Sequence, residues 1–366
     1  MGRFMDRRRF LQATSSAIAG SALVSAPRRG RANSTGELRV NMSGGNFGEA
    51  IMKAFVKPFA AETGVKVTPI MQDVTNAQVG LMVKSGSVTI DVVLTGHSSA
   101  LVLAANGYLE EIDYSIHKDL DSIIDYCRSP YGFGSYIYSW NMFCNTRKLP
   151  SSERRPTTWT EFWDVAKFPG KRSLPSGEYG SGGPWEEALL ADGVPMDKLY
   201  PMDIDRVFAS LDKIKPHIRK WWTTGAEILQ IMRDNVADLG ESYDGRALSL
   251  IDAGEPIEIN RNQAKLYWDN WIIPKGSPNA ANAQKFIALT SRADRQADFA
   301  RLFGQSPSNR NAFKSIADDV ARKLATYPAY AASSFPLNAK WYGETGSGGV
   351  PNSELLRQRW NAWIVR

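Results

Sequence analysis

The sequence predicts an α/β fold of two doubly wound lobes, and three observations point to it. Strand-like and helix-like segments alternate through residues 38–107 as β-α-β-α-β, the rhythm of a mostly parallel sheet covered by helices. About 330 residues follow a distinctive N-terminal segment, more than one hydrophobic core ordinarily supports. A polar, proline-containing connector, Leu149–Thr158, then separates the first run from a second set of strands and helices.

The N-terminal segment reads as an export signal. Arg7-Arg8-Arg9-Phe10-Leu11-Gln12 follows the twin-arginine pattern R-R-x-F-L-K, with Gln12 in the last place. The Ala/Ser/Gly-rich run Ala13–Ala26 is too short and too mildly apolar to span a membrane. Val24-Ser25-Ala26 offers small residues for cleavage, but Pro27 blocks that site, so Gly30-Arg31-Ala32 before Asn33 is preferred. Residues 1–32 are therefore expected to be a twin-arginine signal peptide and the remainder to reside in the periplasm. The competing reading, a disordered basic tail, does not explain the Phe10-Leu11 pair. No cysteine lies near the cleavage region, so no lipid anchor is indicated.

The chain carries 44 Lys+Arg against 38 Asp+Glu. Seven of those arginines and one of the aspartates fall in residues 1–32, which leaves 37 basic and 37 acidic residues in the remainder. The basic balance thus belongs to the export signal and gives no reason to expect a nucleic-acid partner or insertion into a membrane. Cys127 and Cys144 are the two cysteines. A disulfide and a pair of buried free thiols both fit an oxidising compartment. Two cysteines and three histidines make no metal framework, and no cofactor is expected.

Each element has a local reason. Leu38–Asn41 is strand-like, and Ser43–Gly48 is a glycine-rich loop. Ile51, Ala54, Phe55 and Phe59 then share one face of a helix that Gly64 ends. Val65–Ile70 is a second strand, Ala77–Lys84 a helix, and Ile90–Leu94 a near-continuous apolar run of the kind found in buried parallel strands. Ser98 can cap a helix over Ala100–Asn106. Beyond the connector, Trp159–Trp163 starts a helix, Lys171–Leu174 is a strand, and Ser176–Pro184 is a long glycine-rich loop before a helix over Trp185–Ala191. Arg206–Trp222 is amphipathic and helical as far as Lys215, so Trp221-Trp222 falls past a helix end and is assigned to packing. Glu227–Arg233 is a helix and Ala237–Gly240 a short strand. After the stretch considered next, a strong helix runs from Asn282 toward Phe303. The tail has many aromatics and little periodicity, and is expected to wrap across both lobes.

The stretch from Tyr243 to Pro274 organises the rest. By the two-residue period of a strand, Tyr267, Asp269 and Trp271 share one face, while Trp268 turns to the other and is assigned to the core. An acid among aromatics is suited to holding an organic cation away from water. In doubly wound lobes ligands sit beyond the carboxyl ends of the strands, which here puts Ser43–Phe47 and Thr95–Ser98 at the cleft, although a plain glycine-rich turn also explains the first. Neither a G-x-G-x-x-G pattern nor a phosphate-loop lysine is present. Hydrolase signatures, G-x-S-x-G and H-E-x-x-H, are likewise absent, which argues against an enzyme.

The order and spacing of several motifs resemble the spermidine/putrescine-binding proteins of bacterial ABC importers, within the type II periplasmic solute-binding proteins. These are Glu62–Val67, Ile90–Val93, Trp159–Trp163, Tyr243–Ala247, Tyr267–Asp269 leading to Ile273-Pro274, and Gly304–Asn309. The resemblance covers essentially all of the chain after the signal. It implies two α/β lobes joined by crossing strands near Asn141–Asn145 and Asn270–Pro274. Lobe 1 would comprise 37–142 plus 271–318, and lobe 2 would comprise 145–270 plus 319–366. It also implies a monomer that closes on a small amine-bearing solute and delivers it to a membrane permease.

Carried over residue by residue, the ammonium-binding aspartate matches Asp269 and the aromatic two residues earlier matches Tyr267. The family's cleft tryptophan falls on Tyr243, further contacts fall on Gln305 and Tyr342, the first-lobe contacts fall near Ser43, Asn46 and Phe47, and the hydroxyl contact falls near Thr95, with His97 beside it. The family's second acidic cluster should lie between Gly177 and Glu186, where this sequence has Gly and Pro; Glu178, Glu186 and Glu241 are the substitutes at hand. Arg246 meanwhile opens a helix at the cleft, where a guanidinium can hold a carboxylate bidentately; an ordinary salt bridge to Asp244 or Glu241 is the competing role. Asp269 with Arg246 suits a zwitterion with separated termini, such as 4-aminobutyrate. A polyamine is the next reading, then ferric-ion capture, for which no adjacent tyrosine pair is present, and then a secreted hydrolase.

Overall fold

The computed structural model describes residues 36–366 apart from 347; the expected signal peptide lies outside them. Eleven strands among these residues join in one sheet: β1 (Glu37–Asn41), β2 (Lys66–Ile70), β3 (Val92–Gly96), β4 (Arg128–Ser129), β5 (Gly132–Asn145), β6 (Arg172–Pro175), β7 (Ile218–Trp222), β8 (Leu239–Tyr243), β9 (Ile257–Ile272), β10 (Ser306–Pro307) and β11 (Phe335–Pro336). The main path runs β2-β1-β3-β9-β5-β8-β6-β7, with β4 and β10 on β5 and β11 on β9. Strands are parallel within β2-β1-β3 and within β8-β6-β7. β9 runs antiparallel to both β3 and β5, and β5 antiparallel to β8.

Two doubly wound halves therefore meet at the long β5–β9 ribbon, and the packing follows. β5 supplies Phe133, Tyr136 and Ile137 to a core shared with Leu38, Phe55, Trp271 and Phe286. Farther along, the same strand supplies Met142 and Cys144 to a second core, built on Trp159, Trp185, Leu211 and Trp360. β5 shifts register with β9 between Gly134 and Tyr136 and again between Trp140 and Met142, while Gln263 in β9 adopts φ 57°. Such bulges bend and re-aim a strand, and here they flank the passage from one core to the other. This is the two-lobed α/β architecture expected from the sequence, with crossing strands.

Local expectations hold where periodicity is strong. Ile51, Ala54, Phe55 and Phe59 are fully buried on one helical face that runs through a π-helical turn at Met52–Val56, and Gly64 at φ 70° ends it. Other elements differ. The helix after β1 begins at Gly45, so Asn46 and Phe47 lie in its first turn and not in a loop. The helix after β3 spans His97–Ala105 with Gly96 at its N-cap, and Ser98 does not cap it. The segment after Lys215 returns as β7, which puts Trp221-Trp222 at a strand end. The expected helix from Asn282 to Phe303 is two, Ala280–Thr290 and Ala293–Phe303. It breaks where Asn309 Nδ2 takes the Ser291 carbonyl at 2.9 Å, removing an acceptor from the helical ladder. The aromatic tail is ordered by a helix over Asn352–Ile364, which buries Leu356, Trp360 and Trp363 in the second core. Cys127 and Cys144 are buried free thiols. Among the described residues no helix is long and apolar enough to cross a membrane.

Candidate functional site

β8 leads straight into the helix Asp244–Asp252, with Tyr243 as its N-cap. Asp244 fixes this junction: its carboxylate accepts from Gly245 N at 2.8 Å, and from Ser139 N and Oγ of β5 at 3.2 and 3.1 Å. It also lies 3.9 Å from Arg261 of β9. With Asp244 so engaged, Arg246 in the first helical turn is exposed and has no ion-pair partner among the described residues. Its guanidinium packs over Gly225, where a Cβ would stand 3.0 Å from Arg246 Nε. Glu241, the other expected partner for Arg246, is wholly buried and turned toward Glu187.

Across the cleft Asp269 projects from β9. Tyr136, its register partner on β5, donates its hydroxyl to Asp269 Oδ2 at 2.5 Å. Oδ1 faces the backbone of Gly96, close enough that a Cβ there would lie 3.8 Å away. Burial pushes the Asp269 carboxyl above its ordinary range, and the Tyr136 hydrogen bond partly offsets this. The acid consequently favours any cation that can repay its desolvation.

Both groups line one cavity of about 570 Å³, walled by Phe47, Tyr136, Tyr138, Tyr243 and Phe303, with Ser249 and Gln305 at its polar margin. Phe47 meets Tyr136 and Phe303 edge-on at 5.5 and 5.0 Å, so the first half contributes an aromatic wall beside the carboxylate. On the other half, burial and the Glu241 charge push the Tyr243 phenol up to about 12, against the nearby positive charges of Arg246 and Lys265. Tyr243 is thus a neutral donor beside the guanidinium.

The structure brings Asp269, Arg246, Tyr243, Phe47 and Gln305 to this cavity. Tyr267 stands one layer behind, stacked on Tyr138 at 5.5 Å. Ser43 and Asn46 are exposed at the adjacent helix start, and Thr95 pairs with Asn270 in the sheet. His97 lines a different cavity of about 530 Å³, along with Trp268, against which its ring packs at 4.4 Å; burial lowers its pKa to about 4, so it is neutral. Tyr342 is buried in the second half and donates to Glu186 Oε1 at 2.6 Å. The sequence reading missed Tyr136, Tyr138, Ser249, Gly225 and Phe303. The two tyrosines carried a signal, the i, i+2 spacing in Gly134-Ser135-Tyr136-Ile137-Tyr138, but only once that segment is recognised as a strand. Among the described residues no three His, Cys, Asp or Glu side chains gather as metal ligands.

Residues 54–330 match the family model described as bacterial extracellular solute-binding protein. The chain belongs to that family. One relative of this solute-binding protein is the gamma-aminobutyric acid-binding protein of Pseudomonas aeruginosa, 31% identical over 334 residues, or 90% of this chain and 91% of the relative. Among solved structures, a receptor for the same amino acid superposes with a TM-score of 0.77 at 32% identity, over 90% of this chain and 97% of the other. An ABC transporter substrate-binding protein from Bradyrhizobium japonicum does so with a TM-score of 0.78 at 30% identity, over 89% and 99%. Solute-binding proteins of ABC importers carry small solutes to permeases, and the resemblance stated from the motifs places this chain among them.

Proposed function

We propose that this solute-binding protein captures a small zwitterion with separated termini, of the 4-aminobutyrate type, and presents it to an ABC permease. The observation that carries the reading is a single cavity that holds a carboxylate, Asp269, and a guanidinium, Arg246, both without an ion-pair partner among the described residues, its other acid, Asp244, being paired with Arg261. Asp269 takes the ammonium and Arg246 the carboxylate, assisted by Tyr243 and by the N-terminal end of the helix at Asp244, which favours negative charge. A polyamine fits less well. The cavity's other acid, Asp244, is already bound by Ser139, Gly245 and Arg261, so a second ammonium would find no free carboxylate on these walls.

The ligand touches both halves only when they close, so binding shifts the population toward the closed form. The lobe limits read from the sequence, delivery to the periplasm by the Arg7–Arg9 signal, a monomeric state and the contact roles of Tyr267, Ser43, Asn46, Thr95, His97 and Tyr342 belong to the same proposal. The relatives that bind gamma-aminobutyric acid support the choice of ligand.

A thermal-shift panel of 4-aminobutyrate, n-butyrate, n-butylamine, putrescine and spermidine tests it, because a ligand of the native state raises the melting temperature according to its excess over Kd. Only the zwitterion should give a large rise. A larger rise with putrescine or spermidine overturns the assignment.

A further inference from the structure

Behind Tyr243 lies a group of ionisable side chains that the ligand site does not use. Glu186 and Glu187 of the helix Trp185–Ala191, Glu241 of β8 and Lys265 of β9 are all 0% exposed. Lys265 Nζ donates to Glu186 Oε2 at 2.9 Å, to Glu187 Oε2 at 3.0 Å and to the Gly183 carbonyl at 3.1 Å. Tyr342 and Tyr200 both donate their hydroxyls to Glu186 Oε1. The Glu187 and Glu241 carboxyls face each other, and no other donor among the described residues reaches either Glu241 oxygen. Burial raises the pKa of both; at Glu187 the Lys265 ammonium opposes the rise and the Glu186 charge adds to it, while at Glu241 the Glu187 charge adds to it and Lys265 opposes it. Tyr267, from β9, and Tyr243, from β8, also feel the charges of the group. Three buried carboxyls thus gather around one buried ammonium.

This charge is not remote from the ligand. Lys265 Nζ sits over the Trp140 ring at 5.3 Å, and Trp140 meets Tyr243 edge-on at 4.9 Å. The Tyr243 phenol feels Glu241, Lys265 and Arg246 together. Whatever end of a ligand lies against Tyr243 and Arg246 is therefore exposed, through a thin aromatic layer, to the charge of the buried group.

We propose that Lys265 is a specificity-determining residue, neutralising the Glu186/Glu187/Glu241 group from within so that the Arg246 end of the cavity accepts a carboxylate and not a second ammonium. This rests on the zwitterion reading of the same cavity. In low dielectric a unit charge at this range changes the affinity of a charged group by about tenfold. Without Lys265, Glu187 and Glu241 would lose the ammonium that opposes the rise in their pKa, so low pH would protonate them more readily and higher pH would leave more of their charge.

The test is calorimetric titration of the full mature chain with 4-aminobutyrate and with putrescine, at roughly pH 6 and roughly pH 8.5, the lower of which favours protonation of Glu187 and Glu241, whose pKa values burial raises. The quantity read is the ratio of the two Kd values. In the wild type it should favour 4-aminobutyrate at both pH values. In Lys265→Met it should move toward putrescine by about tenfold at the higher pH and return toward the wild-type ratio at the lower. In Glu186→Gln, which removes one negative charge and keeps Lys265 paired to Glu187, the ratio should move several-fold the other way; if Lys265→Met does not fold, this arm decides alone. A folded variant whose ratio matches the wild type at both pH values overturns the proposal, since a purely structural ion pair would change stability and not selectivity. Wild-type preference for putrescine would instead sink the zwitterion reading, and is read before any variant.

Discussion

Arg246→Gln isolates the carboxylate half of the site. The side chain is exposed and makes no ion pair among the described residues, and its neighbour Gly225 offers only backbone. Shortening it to a neutral amide should leave the melting temperature of the ligand-free protein nearly unchanged, within about 0.5 kcal/mol of stability. Ligand affinity should respond differently. Hydrogen bonds to a charged group contribute about 1.5–3 kcal/mol, and a bidentate guanidinium–carboxylate pair sits at the upper end. Each 1.4 kcal/mol is tenfold in Kd, so 4-aminobutyrate should bind about 10- to 100-fold more weakly by titration calorimetry. n-Butylamine, which keeps the ammonium and lacks the carboxylate, supplies the control: its weak affinity should stay constant or improve as the nearby positive charge is removed. Unchanged 4-aminobutyrate affinity, or equal losses for both ligands, would refute the assignment of Arg246 to the carboxylate.

Three further outcomes follow from the same geometry. Because burial raises the Asp269 pKa in the folded protein, its ionisation costs stability as pH rises from the unfolded value of about 3.9 through the folded one. Asp269→Asn should therefore keep or raise the ligand-free melting temperature at neutral pH while abolishing the ligand-induced rise. Tyr136→Phe removes the hydroxyl that favours the ionised acid, so amine affinity should fall on acidification at a higher pH than in the wild type, measured as Kd against pH. Asp91 behaves oppositely: burial would raise its pKa, but Arg39, Ser277 and Asn279 together hold it below the ordinary value. Its contribution is present above the unfolded pKa and lost as pH falls through the folded one. Asp91→Asn should cost about 3 kcal/mol in denaturant unfolding, the low end for a broken buried pair because Arg39 is partly exposed.

The first half was legible because its elements are local. The buried face of Ile51, Ala54, Phe55 and Phe59, ended by Gly64, needs no partner to be recognised. β5 and β9 were seen only in part. β5 is buried on both faces along nearly its whole length and hides Ser135, Ser139 and Asn141, so it shows no alternation. β9 carries Arg261 and Lys265 inward, which in sequence look like surface charges. The partners of Lys265, Glu186 and Glu187, lie far away along the chain, and no periodicity links them to it. Asp269, Tyr243 and Arg246 were found because they share one stretch. Tyr136 and Tyr138 were not, since their place at the site depends on strand pairing with β9.

The most direct measurement is a crystal structure of the closed protein grown with 4-aminobutyrate. The account predicts the ligand between the two halves, its ammonium within hydrogen-bonding distance of Asp269 and its carboxylate on the Arg246 guanidinium, under the aromatic wall of Phe47 and Tyr243. A ligand bound in the cavity beside His97 and Trp268, or one in the cleft with neither Asp269 nor Arg246 touching it, would contradict it.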